Sequence, residues 1–446
     1  MKFTKFGKAL LVSALSAGVI LCVTSCVRSY TVGYLYVTGT VTAQSSGNGI
    51  ISGYKIDHNT GFLTPINGMP VSSGGANPGR AVLLSGSRFL YVLNQGVNAQ
   101  GGATCTTANP CQNSNITQFA VGGNGIVTPQ QTFYTQGINP IRMTPDSSGN
   151  FLLVLDHDAP DNSTCKLALG SSATTCGDIT VFQINQTTGR LNLVVNAPVT
   201  AANGSALTYF PVPANPIDFV LSGGYVLTLS GTSGTGDSVF PYSYGSSTGQ
   251  LTLAQNSSQP LGITQGTAIV PAGNAIYVLD NEPLKITSTG GTFNAGTYPS
   301  QILPFSVGAN GALQAEPGGA VPNDPTLANP VYLMLESKGK FLYVANQGNN
   351  VLGNNANSGI TGYNIFSTPN YQLSFLTQSA FGTGSGPQCL VEDPSNQFIY
   401  TANYVDSTIT GRAVDPNDGF LNPLRVASSY TLQGPANWCL INGRTD

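Results

Sequence analysis

Phe341-Leu342-Tyr343-Val344-Ala345-Asn346 and Phe398-Ile399-Tyr400-Thr401-Ala402-Asn403 are two copies of one phrase. Apolar residues occupy both alternating sides of each copy and an Asn ends it, so each reads as a strand buried on both faces. Outward from these, the phrase returns at Tyr34-Leu35-Tyr36-Val37, Phe89-Leu90-Tyr91-Val92-Leu93-Asn94, Phe151-Leu152-Leu153-Val154-Leu155-Asp156 and Ala275-Ile276-Tyr277-Val278-Leu279-Asp280. A weaker seventh copy lies at Tyr225-Val226-Leu227-Thr228. A repeat of this kind decides the architecture before any single residue is interpreted.

Each copy leads through a variable loop to a second strand of the type Ile360-Thr361-Gly362-Tyr363-Asn364-Ile365. Tight turns follow at Asn59-Thr60-Gly61, Asn124-Gly125, Thr188-Gly189, Thr248-Gly249, Asn310-Gly311 and Asp418-Gly419. Glycine there provides the positive φ that hairpins require. Another strand opens at Asn77-Pro78, Asn139-Pro140, Asn215-Pro216, Asn329-Pro330, Gly386-Pro387 and Gly434-Pro435, with only Gly262-Ile263 to mark the fifth unit. Proline suits a first strand position, where its missing N–H costs least. The expectation is an all-β, seven-bladed β-propeller of four antiparallel strands per blade: inner A, Tyr-Val strand B, strand C and outer D.

Phase sharpens this. The array starts on a B strand near Tyr34 and finishes on an orphan A strand, Gly434-Pro435-Ala436-Asn437-Trp438-Cys439-Leu440-Ile441. Pairing the two closes the ring with the C-terminal strand and removes bare sheet edges. Residues 34–446 give about 59 per unit, more than the ~40–45 of a four-stranded blade. The surplus falls in loops on one face, at 95–113, 157–177, 281–299 and 347–358.

The N-terminus reads as an export signal. Lys2, Lys5 and Lys8 precede the apolar residues 9–23, and Val23-Thr24-Ser25-Cys26 resembles a bacterial lipobox. The expected organisation is a lipoprotein-type signal peptide over 1–25, a short tether over 26–33 and the propeller over 34–446. Cys26 would carry the lipid and anchor the chain to a membrane of the cell envelope, periplasmic or outer. The tether would then turn the long loops away from the bilayer. An uncleaved anchor, or ordinary signal peptidase cleavage, leaves the same body outside the cytoplasm. Six further cysteines are expected as disulfides; fifteen pairings are open to them, and the spacings suggest Cys105 with Cys111 and Cys165 with Cys176 in two loops, while the phase of the ring sets Cys389 beside Cys439 across the closure.

Charged residues make up 8% of the chain against roughly 25% in an average soluble one, and net charge is −3. No basic run follows the first eight residues, so nucleic acid is excluded as a partner. Against that background Arg80 and Arg142 stand out. They hold equivalent places in neighbouring A strands, where two guanidinium groups can bind a carboxylate, a phosphate or a developing oxyanion. The alternative is structural pairing with Asp156, Asp218 or Glu392. Asp218 is the next blade's counterpart of Arg142. His157, in Asp156-His157-Asp158, opens a top-face loop with a carboxylate beside an imidazole. The other histidine, His58, reads as a turn residue. The acidic run Asp156, Asp158, Asp161 lacks the glycine and distal glutamate of a calcium loop, so no metal is expected, and no cofactor.

Gly339-Lys340-Phe341-Leu342-Tyr343-Val344-Ala345-Asn346, Asn403-Tyr404-Val405-Asp406-Ser407-Thr408-Ile409 and the Thr-Gly-x-Leu turns resemble the lactonase-type seven-bladed propellers, the family of 6-phosphogluconolactonase. Ile399-Tyr400-Thr401-Ala402-Asn403 also resembles the Tyr-Val-Thr-Asn repeat of bacterial surface propellers. The resemblance implies hydrolysis of a small lactone at the channel mouth. Arg80 and Arg142 would then stabilise the oxyanion, and His157 or Asp218 would activate water. Family members with sugar-lactone activity carry a histidine just after the A-strand proline; here those positions are Gly79, Ile141, Ile217, Val331, Gln388 and Ala436. That departure supports a second reading, a non-catalytic envelope propeller, expected as a monomer, whose long top loops bind a protein or glycan.

Overall fold

The computed structural model describes residues 30–443, apart from 42–46, 85–87, 103, 201–203, 232–235, 256, 273–274, 284–297, 350–355 and 366–372. The expected signal peptide over 1–25 and Cys26 lie outside the described residues. Seven antiparallel sheets ring a central channel, each ordered A–B–C–D from the channel outward. The B strands are Thr31–Gly39, Phe89–Asn94, Phe151–Asp158, Tyr225–Ser230, Ala275–Asp280, Phe341–Asn346 and Phe398–Asn403. All seven copies of the opening phrase are therefore strands, the weak one included.

The ring closes as its phase requires. Ala436–Gly443 lies antiparallel to Thr31–Gly39, with Val37 opposite Cys439 and Tyr34 opposite Asn442. The Cys389–Cys439 disulfide joins the inner strands of blades 7 and 1 across this closure (Cα–Cα 5.9 Å). Cys105–Cys111 and Cys165–Cys176 staple the top loops of blades 2 and 3.

Apolar residues on both faces of each B strand have a direct explanation. Alternating residues go to different neighbours: Tyr34 and Tyr36 pack toward blade 2, and Leu35 and Val37 toward blade 7. Seven clusters result, one at each blade–blade boundary. Each fully buried Leu, Val or Phe stabilises a boundary by roughly 1.5–3 kcal/mol.

The Tyr of strand B and the Gly of the outer turn also prove to be partners. Tyr36 Oη donates to Gly125 O (2.8 Å), Tyr91 to Gly189 O (2.5 Å), Tyr343 to Gly419 O (2.7 Å) and Tyr400 to Gly61 O (2.6 Å). Each bond ties a blade to the next, and the last spans the closure. At Gly61 and Gly419 the backbone has φ of 67° and 74°. A Cβ there would also stand 2.6 Å from the ring of Phe398 or Phe341, so glycine is required twice over.

The opening of strand A differs in detail from the sequence expectation. Asn77, Asn139, Asn215 and Asn329 adopt φ of 52–59°, the left-handed conformation that Asn tolerates better than most residues. A bulge follows each proline: pairing with strand B resumes at the second residue in blades 3, 4 and 6 (Arg142, Asp218 and Tyr332) and at the third, Ala81, in blade 2. In blade 5 the proline-equivalent position, opposite Asp280, is Gly266, not the residue after Gly262. At the closure Ala436, opposite Gly39, takes the proline position, so Asn437 and not Ala436 is the post-proline equivalent. Without a proline in register, the local cue marked the wrong residue in both places. The outer edge differs as well. In five blades it is split, a short strand D and a second piece pairing with the start of strand C, such as Leu63–Pro65 and Val71–Ala76 in blade 1. Gly68 (φ 91°) and Pro70 lie in the bend between those two.

Candidate functional site

The bulge after each opening proline sets one layer of side chains across the channel. In blades 1, 2, 3, 4 and 6 these are Trp438, Arg80, Arg142, Asp218 and Tyr332. Their contacts interlock. The Arg80 guanidinium lies over the Trp438 ring, 3.7 Å from its centre, and Tyr332 meets the same indole edge-on at 5.0 Å. Such a cation–π contact contributes about 1–2 kcal/mol when desolvated. Arg142 Nε stands 3.3 Å from Asp218 Oδ1, and Arg142 Nη1 donates to Ile141 O (3.0 Å).

Asp218 is held from below as well. Its Oδ1 accepts from Phe219 N (2.9 Å) and its Oδ2 from Ile269 N of the next blade (3.2 Å). Both oxygens are thus engaged, and the carboxylate serves to position Arg142. Among the described residues no carboxylate lies within ion-pair distance of Arg80. Burial and the like charge of Arg142 push the Arg80 guanidinium down to about 9, with Asp218 pulling the other way. It remains a cation at neutral pH, so the layer carries two positive charges and one negative.

The layer divides the channel in two. Above it, toward the loop-rich face, lies a cavity of about 370 Å³, with Arg80, Arg142 and Trp438 at its floor. Its wall is a ring of amides and hydroxyls: Gln95, Gln347, Gln388, Asn437, Thr267 and Tyr404. Gln347 Nε2 donates to Gln388 Oε1 (2.8 Å), Asn329 Nδ2 to Gln347 Oε1 (2.8 Å), Asn437 Nδ2 to Pro78 O (2.7 Å) and Thr267 Oγ1 to Pro330 O. Below the layer a larger cavity, about 630 Å³, has mostly apolar walls.

The structure brings together three of the four sequence-predicted residues, Arg80, Arg142 and Asp218. His157 lines a different pocket of about 300 Å³, among the top loops of blades 2, 3 and 4. Its Nδ1 is 3.1 Å from Asp158 Oδ2. Asp158 also accepts from Thr107 Oγ1 (2.8 Å) and Asn139 Nδ2 (2.7 Å), which knits the two stapled loops together. His58 stacks on Tyr30 at 4.3 Å on the rim of blade 1. The acidic run scatters: Asp156 is buried inside blade 3, Asp158 serves His157, and Asp161 accepts from Ser163 N (2.8 Å) in its own turn.

The channel amides, Tyr332 and Trp438 were not singled out from sequence. One signal existed: Asn94-Gln95 and Asn346-Gln347 end two B strands alike, which places both glutamines at the upper mouth. Trp438, the chain's single tryptophan, becomes a site residue only once the closing strand is set in register with the other A strands.

Residues 294–437 match the family model "Lactonase, 7-bladed beta-propeller". No curated relative matches the sequence. Among solved structures, a candidate 6-phosphogluconolactonase of Bacteroides uniformis superposes with a TM-score of 0.63 at 14% identity, covering 92% of this chain and 99% of its own. The periplasmic gluconolactonase of Pseudomonas aeruginosa gives 0.61 at 18% identity, with 93% and 99% covered. At such identities the likeness speaks for the fold. An extracytoplasmic location accords with three disulfides. The chain is a seven-bladed propeller in which residues 294–437 match the lactonase propeller model and the whole ring shares the fold of the solved structures.

Proposed function

We propose that the upper cavity binds a small sugar-type lactone and promotes its opening by water. The observation that supports this is the pair of guanidiniums, one fixed by Asp218 and one by Trp438, at the floor of an amide-lined mouth. Amides and hydroxyls suit the ring hydroxyls of a sugar, and the lactone carbonyl turns down toward Arg80 and Arg142. Water adds to the carbonyl carbon and the oxyanion forms against the two cations. The C–O ring bond then breaks, giving a hydroxy acid. Fixed donors of this kind contribute about 10²–10³-fold each. With both Asp218 oxygens engaged and His157 in another pocket, the proton from the attacking water passes to solvent, so the rate rises with pH. The product carboxylate pairs with the same arginines and inhibits.

The test is direct: rates of opening of several sugar lactones, followed by acid release, with and without protein. Equal rates throughout would remove the enzymatic reading. The knitting of the two stapled loops through Thr107–Asp158 favours a second function of that face, holding an envelope protein or glycan; deleting the 105–111 loop would then abolish capture and leave lactone opening intact. We place the protein in the cell envelope on a lipid at Cys26. Cys26→Ser should move it from the membrane to the soluble fraction.

A further inference from the structure

The lower cavity has a different chemistry from the upper. Its walls include Val82, Leu221, Val270 and Pro271, and it reaches the lower rim at Ser147 and Gly223, between the A–B turns of blades 3 and 4. At about 630 Å³ it falls within the ~300–1,000 Å³ of small-molecule sites. Its inner end is the guanidinium of Arg80, held flat on Trp438 and beyond ion-pair reach of any carboxylate among the described residues. Arg142 shares its charge with Asp218, and the cavity's other carboxylate, Asp146 by the lower rim, accepts from Phe151 N (3.0 Å) and Ser148 Oγ (2.6 Å), so the end wall itself keeps one net positive charge. A cation sunk beneath apolar walls is costly until an anion meets it, and the apolar walls are costly while water covers them.

One class of ligand relieves both. We infer that the lower cavity is a binding site for a monocarboxylate with an apolar body, a medium-chain fatty acid or an arylalkanoate, its head on Arg80 and its tail toward the rim. A sugar acid fits these walls poorly, and a fatty tail fits the amide ring above poorly. The two cavities therefore select different ligands while sharing one arginine. This inference does not depend on lactone opening.

Calorimetry with octanoate on the intact mature protein, with no lactone present, tests it. One octanoate per chain is expected, with a saturable change in the emission of Trp438. Octanamide, which has the tail without the charge, and acetate, which has the charge without the tail, should each bind at least tenfold more weakly. Val270→Phe, which fills the cavity, and Arg80→Gln should each weaken octanoate at least tenfold. Octanamide binding as well as octanoate, or octanoate binding unchanged in Val270→Phe, would overturn the proposal, as would the absence of saturable octanoate binding. If Arg80→Gln does not fold, the comparison of the three ligands on the wild type still decides.

Discussion

The closure region and the middle of the ring are built from the same repeat but spend their residues differently. Around the closure, blades 7, 1 and 2 keep the tyrosine of strand B: the Tyr-to-Gly bonds of Tyr400, Tyr36 and Tyr91 run from blade to blade, and the Cys389–Cys439 bond reinforces them. In blades 3 and 4 that tyrosine becomes Leu153 and Leu227, which pack in the core and make no such bond. Those blades instead carry Arg142, Asp218, His157 and a buried carboxylate pair, Asp156 opposite Asp178. Repeat residues hold the ring, and the charged departures Arg142 and Asp218 of blades 3 and 4 face Arg80 and Trp438 of blades 2 and 1 across the channel.

The closure is the most sensitive place to break this contrast. Cys439→Ala releases a bond between residues 50 apart and should cost ~3–5 kcal/mol, read as a lower urea midpoint under non-reducing conditions. A loss no larger than that of cutting the Cys105–Cys111 loop would mean the ring does not depend on its closure. In the middle, Arg142→Ala should lower lactone opening by about 10²–10³-fold, with melting temperature little changed. An unchanged rate would leave Arg142 a purely structural partner of Asp218.

The carboxylate pair sharpens the comparison through pH. In blade 2 the same two positions are Asn94 and Asn115, which bond to each other at 2.9 Å. In blade 3 burial pushes Asp156 up to about 7 and Asp178 well above the ordinary carboxylate range. The folded pair therefore keeps protons that the unfolded chain releases near pH ~4. The contribution of Asp156 to stability is complete below that value and is lost as pH rises through about 7, and that of Asp178, raised by burial and by Asp156, is likewise complete at low pH and lost on the alkaline side. Asp178→Asn imitates the amide–carboxylate arrangement of Gln301 and Asp280 in blade 5. It should raise stability at about pH 8 by ~1–3 kcal/mol and flatten the profile between about pH 5 and 8. An undiminished pH slope would show that the pair does not control it. The smallest effect is expected at Tyr400→Phe, about 1 kcal/mol for the bond to Gly61 O, measurable against Leu153→Ile as a control without that bond.

Most of the fold was legible because it repeats. Strand B, the outer turns, ring closure and disulfide pairing all follow from patterns that recur or pair off along the chain. Legibility failed where two copies lack their punctuation: no proline marks Gly266 or Ala436, so the register of the inner strands of blades 5 and 1 cannot be read locally. The site was half legible for a related reason. Arg80, Arg142 and Asp218 stood out as rare charges at matching places. Gln95, Gln347 and Gln388 look like any polar loop residue in a chain whose surface is made of such residues. Only the curvature of the ring turns them toward one point. His157 misled in the opposite way, since a sequence neighbourhood of carboxylates says nothing about which cavity a loop will face.

Trp438 sits on the strand that shuts the ring, and it is also the platform for Arg80. Circularisation and pocket assembly are therefore one event. A chain whose Ala436–Gly443 segment has not yet docked can have every other sector in place and still offer its guanidinium no surface to rest on. The Arg80 platform is thus complete only when the ring is shut.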